Sequence, residues 1–244
     1  MDGSGTGSFT SYISGLTPNT TYHLRAYATN SVGTAYSADS VFNTTSFSLP
    51  NVTIGTQIWT TQNLSVAKYR NGDPIPQVTD PTAWDNLTTG AWCWYNNDSG
   101  TYSSTFGRLY NWYVLNDPRG LAPQGWHVPS DGEWNIMTKY LDPLLDTITG
   151  SGANVAGIAM KSTSGWNLGG NGSNASGFTG LPGGCQISGG DFNGTAFGNG
   201  LWWSTSEFSV TGGAWYRYLS YYYNDVFRLN CGKTLGLSVR LVRD

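Results

Sequence analysis

The run Ala214-Trp215-Tyr216-Arg217-Tyr218-Leu219-Ser220-Tyr221-Tyr222-Tyr223-Asn224-Asp225-Val226-Phe227-Arg228-Leu229-Asn230-Cys231-Gly232 decides how this chain is read. Side chains alternate faces along a strand. If Trp215 and Leu219 face a core, then Tyr216, Tyr218 and Ser220 face away from it. If Val226 packs inward, Phe227, Leu229 and Cys231 project to the other side. Soluble proteins rarely leave so much contiguous aromatic and apolar surface bare unless something binds there. Tyrosine mixed with Ser, Gly and Asn is also the composition of antibody-type paratopes, which gain rigid contact area at low entropic cost. Two readings stand side by side: a ligand-facing surface, or strands buried on both faces between layers.

Composition narrows the class. Charged residues make up 11% of the 244, aromatics 14%, and there are 33 glycines and 11 tryptophans. That profile suits a loop-rich extracellular protein better than a helical cytosolic one, and its aromatic content can bury ample apolar area. A net charge of −3 without any Lys/Arg run argues against nucleic acid as the partner. No apolar stretch is long enough to span a bilayer, so no transmembrane segment is expected. Met1-Asp2-Gly3-Ser4-Gly5 does not look like a signal peptide and reads as an internal or artificial start. The Asn-x-Ser/Thr sequons, such as Asn19-Thr20-Thr21 and Asn174-Ala175-Ser176, are expected by chance in so Asn- and Thr-rich a chain. Cys93, Cys185 and Cys231 cannot all pair and form no metal-type spacing. With only His23 and His127 besides, neither a metal site nor a cofactor is expected.

Along the chain, residues 8–44 read as strands. Leu16-Thr17-Pro18-Asn19-Thr20-Thr21-Tyr22 leads into the alternating Tyr22, Leu24, Ala26 and Ala28, and Asn30-Ser31-Val32-Gly33 supplies a turn before Ala35-Tyr36-Ser37. This stretch resembles the C-terminal half of a fibronectin type III domain, with Tyr22 at the position of the corner tyrosine. Residues 1–46 are therefore expected to form a partial, all-β fibronectin-like segment, with 47–50 as linker. Val52 to Trp59 reads as a strand turning at Gly55, Asn71 to Asp80 as proline-broken loop, and Ala91 to Tyr95 as a short strand. Ser130 followed by Glu133 is a capping box opening a helix, with Trp134, Met137 and Leu141 at helical spacing before Pro143. A weaker helix is expected over Asn154 to Lys161, glycine-rich loop over Gly165 to Gly200, and three or four strands over Trp202 to Asp244. In Trp202-Trp203, one ring is expected in the core and the other at its rim.

Several blocks, in order, resemble the Fibrobacter succinogenes major paralogous domain, a bacterial surface domain. They are Ile54-Gly55-Thr56-Gln57-Ile58-Trp59 with Gln62-Asn63-Leu64, and Gly107-Arg108-Leu109-Tyr110-Asn111-Trp112. Pro123 to Trp134 follows, then Ser176-Gly177-Phe178 with Leu181-Pro182-Gly183-Gly184, Trp202-Trp203-Ser204-Thr205-Ser206, and Gly236 to Asp244. The resemblance implies an α+β fold over 51–244: a C-type-lectin-like domain with few helices, short antiparallel sheets and long loops. Members often carry a cysteine before the Pro-x-Gly-Trp-His block and another in the terminal Ser-Val-Arg strand. Ala122 and Leu241 stand at those places here, as expected if a disulfide were lost as a unit.

The terminal segment, about 201–235, also resembles the variable region of proteins targeted by diversity-generating retroelements, in which template adenines, mostly in asparagine codons, are randomised. Ser, Tyr, Asp, Phe, Leu, Cys and Gly are all reachable from an asparagine codon by replacing adenines alone. No Lys, Glu, Gln, Met or Trp occurs between Tyr218 and Gly232. The ligand-facing residues implied are Tyr216, Tyr218, Ser220, Tyr221, Tyr222, Tyr223, Asn224, Asp225, Phe227, Leu229, Asn230, Cys231, Gly232 and Leu235. Trp215, Arg217, Leu219, Val226 and Arg228 are expected to be structural, the arginines pairing with carbonyls or scarce carboxylates.

Three functions are weighed on these residues. A non-enzymatic recognition module would meet a protein or glycan ligand on another cell or virus, from a bacterial surface or the virion tail of a phage. A lectin is the alternative, although the Glu-Pro-Asn, Gln-Pro-Asp and Trp-Asn-Asp motifs of calcium-dependent sugar binding are missing and Asn96-Asn97-Asp98 reads as a turn. An oxidase related to formylglycine-generating enzymes would need two neighbouring reactive cysteines, whereas Cys185 and Cys231 lie far apart in sequence. His127 reads as a satisfied structural histidine, and the helix cap is taken to account for both Asp131 and Glu133.

Overall fold

Asn30 sets the first turn: its Oδ1 accepts from the Val32 and Gly33 amides at 2.8 and 3.1 Å. In a computed structural model of the chain, this turn lies in the first of two units, Met1–Leu49 and Pro50–Asp244. The structure describes residues 20–44, 49–146, 155–193, 197–208 and 212–244, with isolated positions before residue 20. Thr17 to Asn19 of the stretch leading into Tyr22, the first half of the linker and the start of the second helix fall outside these residues. Strands Thr21–Leu24 (β1), Tyr27–Thr29 (β2), Thr34–Tyr36 (β3) and Ser40–Asn43 (β4) form two antiparallel pairs, β1 with β4 and β2 with β3. Tyr22 stacks on Phe42 across the first pair, with centroids 5.8 Å apart.

The second unit opens with the hairpin Asn51–Ile54 (β5) and Gln57–Thr60 (β6), turning at Gly55. Two helices that the sequence reading missed follow. Pro81–Asp85 (α1) starts where Asp80 accepts from the Ala83 amide, just past the proline-broken loop. Trp92–Cys93 (β7) precedes Ser99–Phe106 (α2), capped by Asp98. Leu109–Tyr110 (β8) pairs with β7, and Trp126–His127 (β9) leads to Asp131–Leu141 (α3), whose Ser130/Glu133 capping box is formed. Ala156–Met160 (α4) occupies the middle of the weaker predicted helix. The glycine-rich stretch is not wholly loop: it contains the paired strands Cys185–Gln186 (β10) and Phe192–Asn193 (β11). Asn199–Phe208 (β12), Gly213–Ser220 (β13) and Phe227–Gly232 (β14) make one antiparallel sheet in that order. Val242–Arg243 (β15) closes a second sheet, β5-β6-β15-β9. The unit is α+β, with short antiparallel sheets and few helices. Among the described residues no helix is long and apolar enough to cross a membrane.

Its core is a chain of rings between the two sheets and α3. Trp59 meets Trp134 at 4.6 Å, Trp134 meets Phe178 at 5.8 Å, and Phe178 meets Trp202 at 5.5 Å. Large buried aromatics supply most of the apolar area such a loop-rich unit removes from water. The loops around them are held by polar side chains. Arg240 is fully buried, has no carboxylate partner among the described residues, and donates to the Thr60, Phe178 and Thr179 carbonyls and to Asn63 Oδ1, all within 2.8 Å. Burial lowers its pKa to about 9. Asn63 Oδ1 also accepts from Trp202 Nε1 at 2.8 Å, and its Nδ2 donates to the Phe106 carbonyl and Ser238 Oγ. Ala122 and Leu241 are both buried apolar side chains.

Asn63→Ala leaves two buried donors without an acceptor, at roughly 1–3 kcal/mol for each. Urea unfolding is expected to show a loss of at least about 2 kcal/mol.

Candidate functional site

The register of the three-stranded sheet sorts its side chains into two faces, because residues directly opposite share a face. Trp202, Arg217 and Arg228 line up on one; Trp203, Tyr216 and Leu229, with Leu201, Tyr218 and Phe227, line up on the other.

The first face sits on α3. Arg217, almost wholly buried, donates to Asp131 Oδ1 at 2.8 Å, to the Asp131 carbonyl at 3.2 Å and to Asn135 Oδ1 at 2.5 Å. Arg228 grips the same carboxylate with Nε and Nη2, at 2.9–3.1 Å, and its guanidinium lies 3.4 Å from the centre of the Trp215 ring. Burial opposes ionisation of Asp131, but the hydrogen bonds and charges of Arg228 and Arg217 outweigh it, and the pKa is lowered. The arginines are structural, paired with a scarce carboxylate as the sequence suggested. The cap does not account for Asp131, however: Glu133 closes the capping box, and Asp131 is committed to the sheet.

Beneath it the first turn of α3 is fixed from the other side. His127 Nδ1 meets Asp244 Oδ1 at 2.7 Å, and Nε2 meets Glu133 Oε1 at 2.5 Å. Burial opposes protonation of the ring, but Glu133 and Asp244 outweigh it and raise the pKa.

The loop joining β13 to β14 is held by its backbone. Lys161, buried behind it, donates from Nζ to the Ser220 carbonyl at 3.1 Å and the Tyr223 carbonyl at 2.9 Å. Gly157 and Gly170 let the loop approach: a Cβ on Gly157 would stand 2.3 Å from the Asn224 carbonyl oxygen, and one on Gly170 2.2 Å from that of Tyr221. Val226 is the loop's buried plug in the main core. None of these contacts uses the side chains of Tyr222, Tyr223 or Asn224.

What faces outward is a run of rings. Tyr222, Tyr223, Phe227 and Tyr218 follow one another with centroids 5.0–5.7 Å apart. Tyr221 meets Tyr222 edge-on at 6.2 Å but packs against the main core, so it is not part of the outward surface. Tyr222 is 73% exposed, Tyr223 47% and Leu229 40%. Asn224, Asn230 and Gly232 are exposed too, while Tyr221, Asp225, Phe227, Cys231 and Leu235 are half-buried. Burial raises the Asp225 carboxyl above its ordinary range, with Asp142 adding to the effect.

Three expectations need correction. Ser220 is buried, its Oγ accepting from the Tyr222 amide at 3.2 Å, because alternation stops counting where the strand turns into the loop. Tyr216 projects from the outer face but lies half-buried beside Trp203, and burial raises its pKa. Trp203 is no rim residue: both it and Trp202 are fully buried, since β12 is covered on both faces. Trp203 Nε1 donates to the Tyr110 carbonyl at 2.8 Å on one side, and Trp202 joins the main core on the other.

Sequence reasoning missed Lys161, Gly157 and Gly170. A lysine ending a weak helix and two glycines among many carry no local mark of contact with a loop so far along the chain. Among the described residues no group of three or more His, Cys, Asp or Glu side chains is placed to hold a metal, and the three cysteines are free thiols. Burial raises the thiols of Cys93 and Cys231 far above their ordinary pKa.

Fold and site together define an α+β scaffold that carries a backbone-anchored aromatic surface. The chain belongs to the Fibrobacter succinogenes major domain family, whose model matches residues 52–243. No curated protein and no solved structure matches it.

Asp131→Ala leaves two guanidinium groups facing each other without a counter-charge, and thermal or urea unfolding is expected to show a loss of about 3 kcal/mol. His127 contributes with the opposite pH sense to a carboxylate. Its folded pKa is raised, so its stabilisation is fully present below about pH 6.5 and is lost as pH rises through the folded value. The stability gap between wild type and His127→Gln is therefore expected to be widest at acid pH and to close above neutrality.

Proposed function

We propose that this protein is a non-enzymatic recognition module that displays a diversified surface on a C-type-lectin-like scaffold. Its ligand is a protein or glycan on another cell or virus, met from a bacterial surface or a phage tail. The observation that carries the reading is the division of labour in residues 214–232. Arg217, Leu219, Val226 and Arg228 reach inward and fix the backbone, whereas the side chains of Tyr222, Tyr223, Asn224 and Leu229 are exposed and, among the described residues, make no hydrogen bond or ion pair to the scaffold. Tyrosine and phenylalanine rings in mutual contact are rigid anchors that lose little entropy on binding, and neighbouring Asn224, Asp225 and Asn230 add adaptable hydrogen bonds. The occurrence there of residue types reachable from asparagine codons supports a target of a diversity-generating retroelement. The first unit, in the same reading, is a partial fibronectin type III segment that carries the module.

A metal-independent lectin is the second reading, favoured by the exposed rings, on which sugars can stack. Cys185 and Cys231, distant in sequence, lie near enough to influence each other, but burial raises the Cys231 thiol and so opposes the reactive thiolate an oxidase would need.

A displayed library tests the division. Random substitution at Tyr222, Tyr223, Asn224 and Leu229 is expected to leave most members folded, within about 0.5 kcal/mol of the parent. Random substitution at Arg217, Leu219, Val226 and Arg228 is expected to unfold most members, at about 2 kcal/mol or more each. Equal tolerance in the two sets would overturn the proposal. Binding by selected members to a glycan array, with and without chelator, separates sugar from protein ligands.

A further inference from the structure

The displayed sheet has one filled edge and one open edge. Along β12 the outer backbone groups are taken. The Gly184 amide donates to the Asn199 carbonyl at 2.8 Å, and the Ser238 amide to the Leu201 carbonyl at 3.1 Å. The Trp203 amide donates to the Ser238 carbonyl at 3.1 Å, and that of Thr205 to the Pro129 carbonyl at 2.9 Å. β14 lies at the other end of the strand order and pairs with β13 alone. Among the described residues, the outward amides and carbonyls from Phe227 to Cys231 find no partner in the chain. The strand turns back only at Gly232, whose carbonyl accepts from the Leu235 amide at 3.2 Å.

Natural sheets guard such an edge with proline, a bulge, lysine or another charge, an inward-pointing charge, or a covering segment. Of these β14 carries only an inward-pointing charge, Arg228, already paired with Asp131. Its sequence, Phe227-Arg228-Leu229-Asn230-Cys231-Gly232, holds neither proline nor lysine. Its register against β13 runs unbroken from Gly213 opposite Gly232 to Tyr218 opposite Phe227, whereas β12 is bulged against β13 between Trp203 and Glu207. Its one charge, Arg228, is folded beneath the sheet onto Asp131. An open edge from Phe227 to Cys231, continuous with the exposed rings, is a template for another backbone.

We propose that β14 takes an extended segment of a protein ligand as a fourth strand. The proposal rests on the recognition reading of this surface and narrows its partner to polypeptide. Only a second backbone offers alternating donors and acceptors at the spacing of the open edge, so main-chain bonds would supply affinity that does not depend on which side chains the surface carries. Specificity then comes from the neighbours. Every second side chain of the docked strand falls beside Phe227 and Leu229, within reach of the Tyr223 ring, which favours apolar or aromatic residues at alternate positions. This arrangement lets the side chains vary while a constant set of hydrogen bonds is kept.

The test uses the full chain and a displayed library of linear peptides. Selected binders are resynthesised with each backbone amide N-methylated in turn. Strand addition predicts a period of two: methylation at alternate positions weakens binding about ten-fold or more, and between them about two-fold or less. Amides of alternate residues between Phe227 and Cys231 are expected to exchange with solvent more slowly in the complex. A flat methylation scan, no protection along β14, or no peptide binder at all would overturn the proposal, as would protection of the same amides by self-association of the free protein. Binding that is lost in Tyr222→Ser or Tyr223→Ser but gives a flat scan would overturn strand addition alone and leave the recognition surface standing. Binders indifferent to both would overturn the two together.

Discussion

One carboxylate, Asp131, clamps two strands of the three-stranded sheet to α3. It sits in the first turn of α3, where the helix dipole favours negative charge, and it accepts from two guanidinium groups that reach down from adjacent strands. Two arginines side by side under a sheet repel each other; an acid between them turns that repulsion into a clamp. Removing the acid leaves buried positive charge uncompensated, which costs more than the pair gains by forming. The clamp has firm footing. Ser130 and Glu133 cap the helix, Trp134 Nε1 donates to the Trp203 carbonyl at 3.2 Å, and His127 ties the same turn to Asp244.

The loop above the clamp is governed by the same separation of backbone from side chain. Lys161 is buried, where burial lowers its pKa, and it spends its donors on main-chain oxygens, which every residue type supplies. Gly157 and Gly170 are likewise shaped to the loop's backbone. These supports do not read the side chains of Tyr222 to Asn224, whose two rings contact one another, Tyr221 and Phe227. A surface free to vary without refolding needs this kind of support. Elsewhere the unit follows the same habit: Arg240 and Asn63 bind loop carbonyls around the tryptophan core, while buried Ala122 and Leu241 stand at the two places where relatives are expected to carry cysteines.

Local chemistry was legible in the sequence and long-range cover was not. The Ser130-to-Glu133 spacing located α3, and period-two alternation put Arg217, Leu219, Val226 and Arg228 on the inner side. Alternation tells which side chains share a face, but not what covers the other face. That is why Trp203 and Tyr216 lie deeper than expected: the segment around Tyr110 roofs part of the outer face. Ser220 failed for a local reason, being the last residue before the chain leaves the strand. The helices α1 and α2 are short and made of weak helix formers, so their only marks were Asp80 before Pro81 and Asp98 before Ser99. The support from Lys161 left no mark, because one side chain meeting two distant carbonyls has no period to detect.

The central claim is that the path of residues 220–232 is set from below and is indifferent to the side chains it displays. The most direct measurement is a crystal structure of a variant in which Tyr222, Tyr223, Asn224 and Leu229 are all replaced by serine. The account predicts that the Cα positions of 220–232 stay within about 1 Å of the parent, with Asp131 still bridging Arg217 and Arg228. A loop that collapses or re-routes once those four side chains are gone would contradict it, and would mean that the rings hold up the surface they were taken only to decorate.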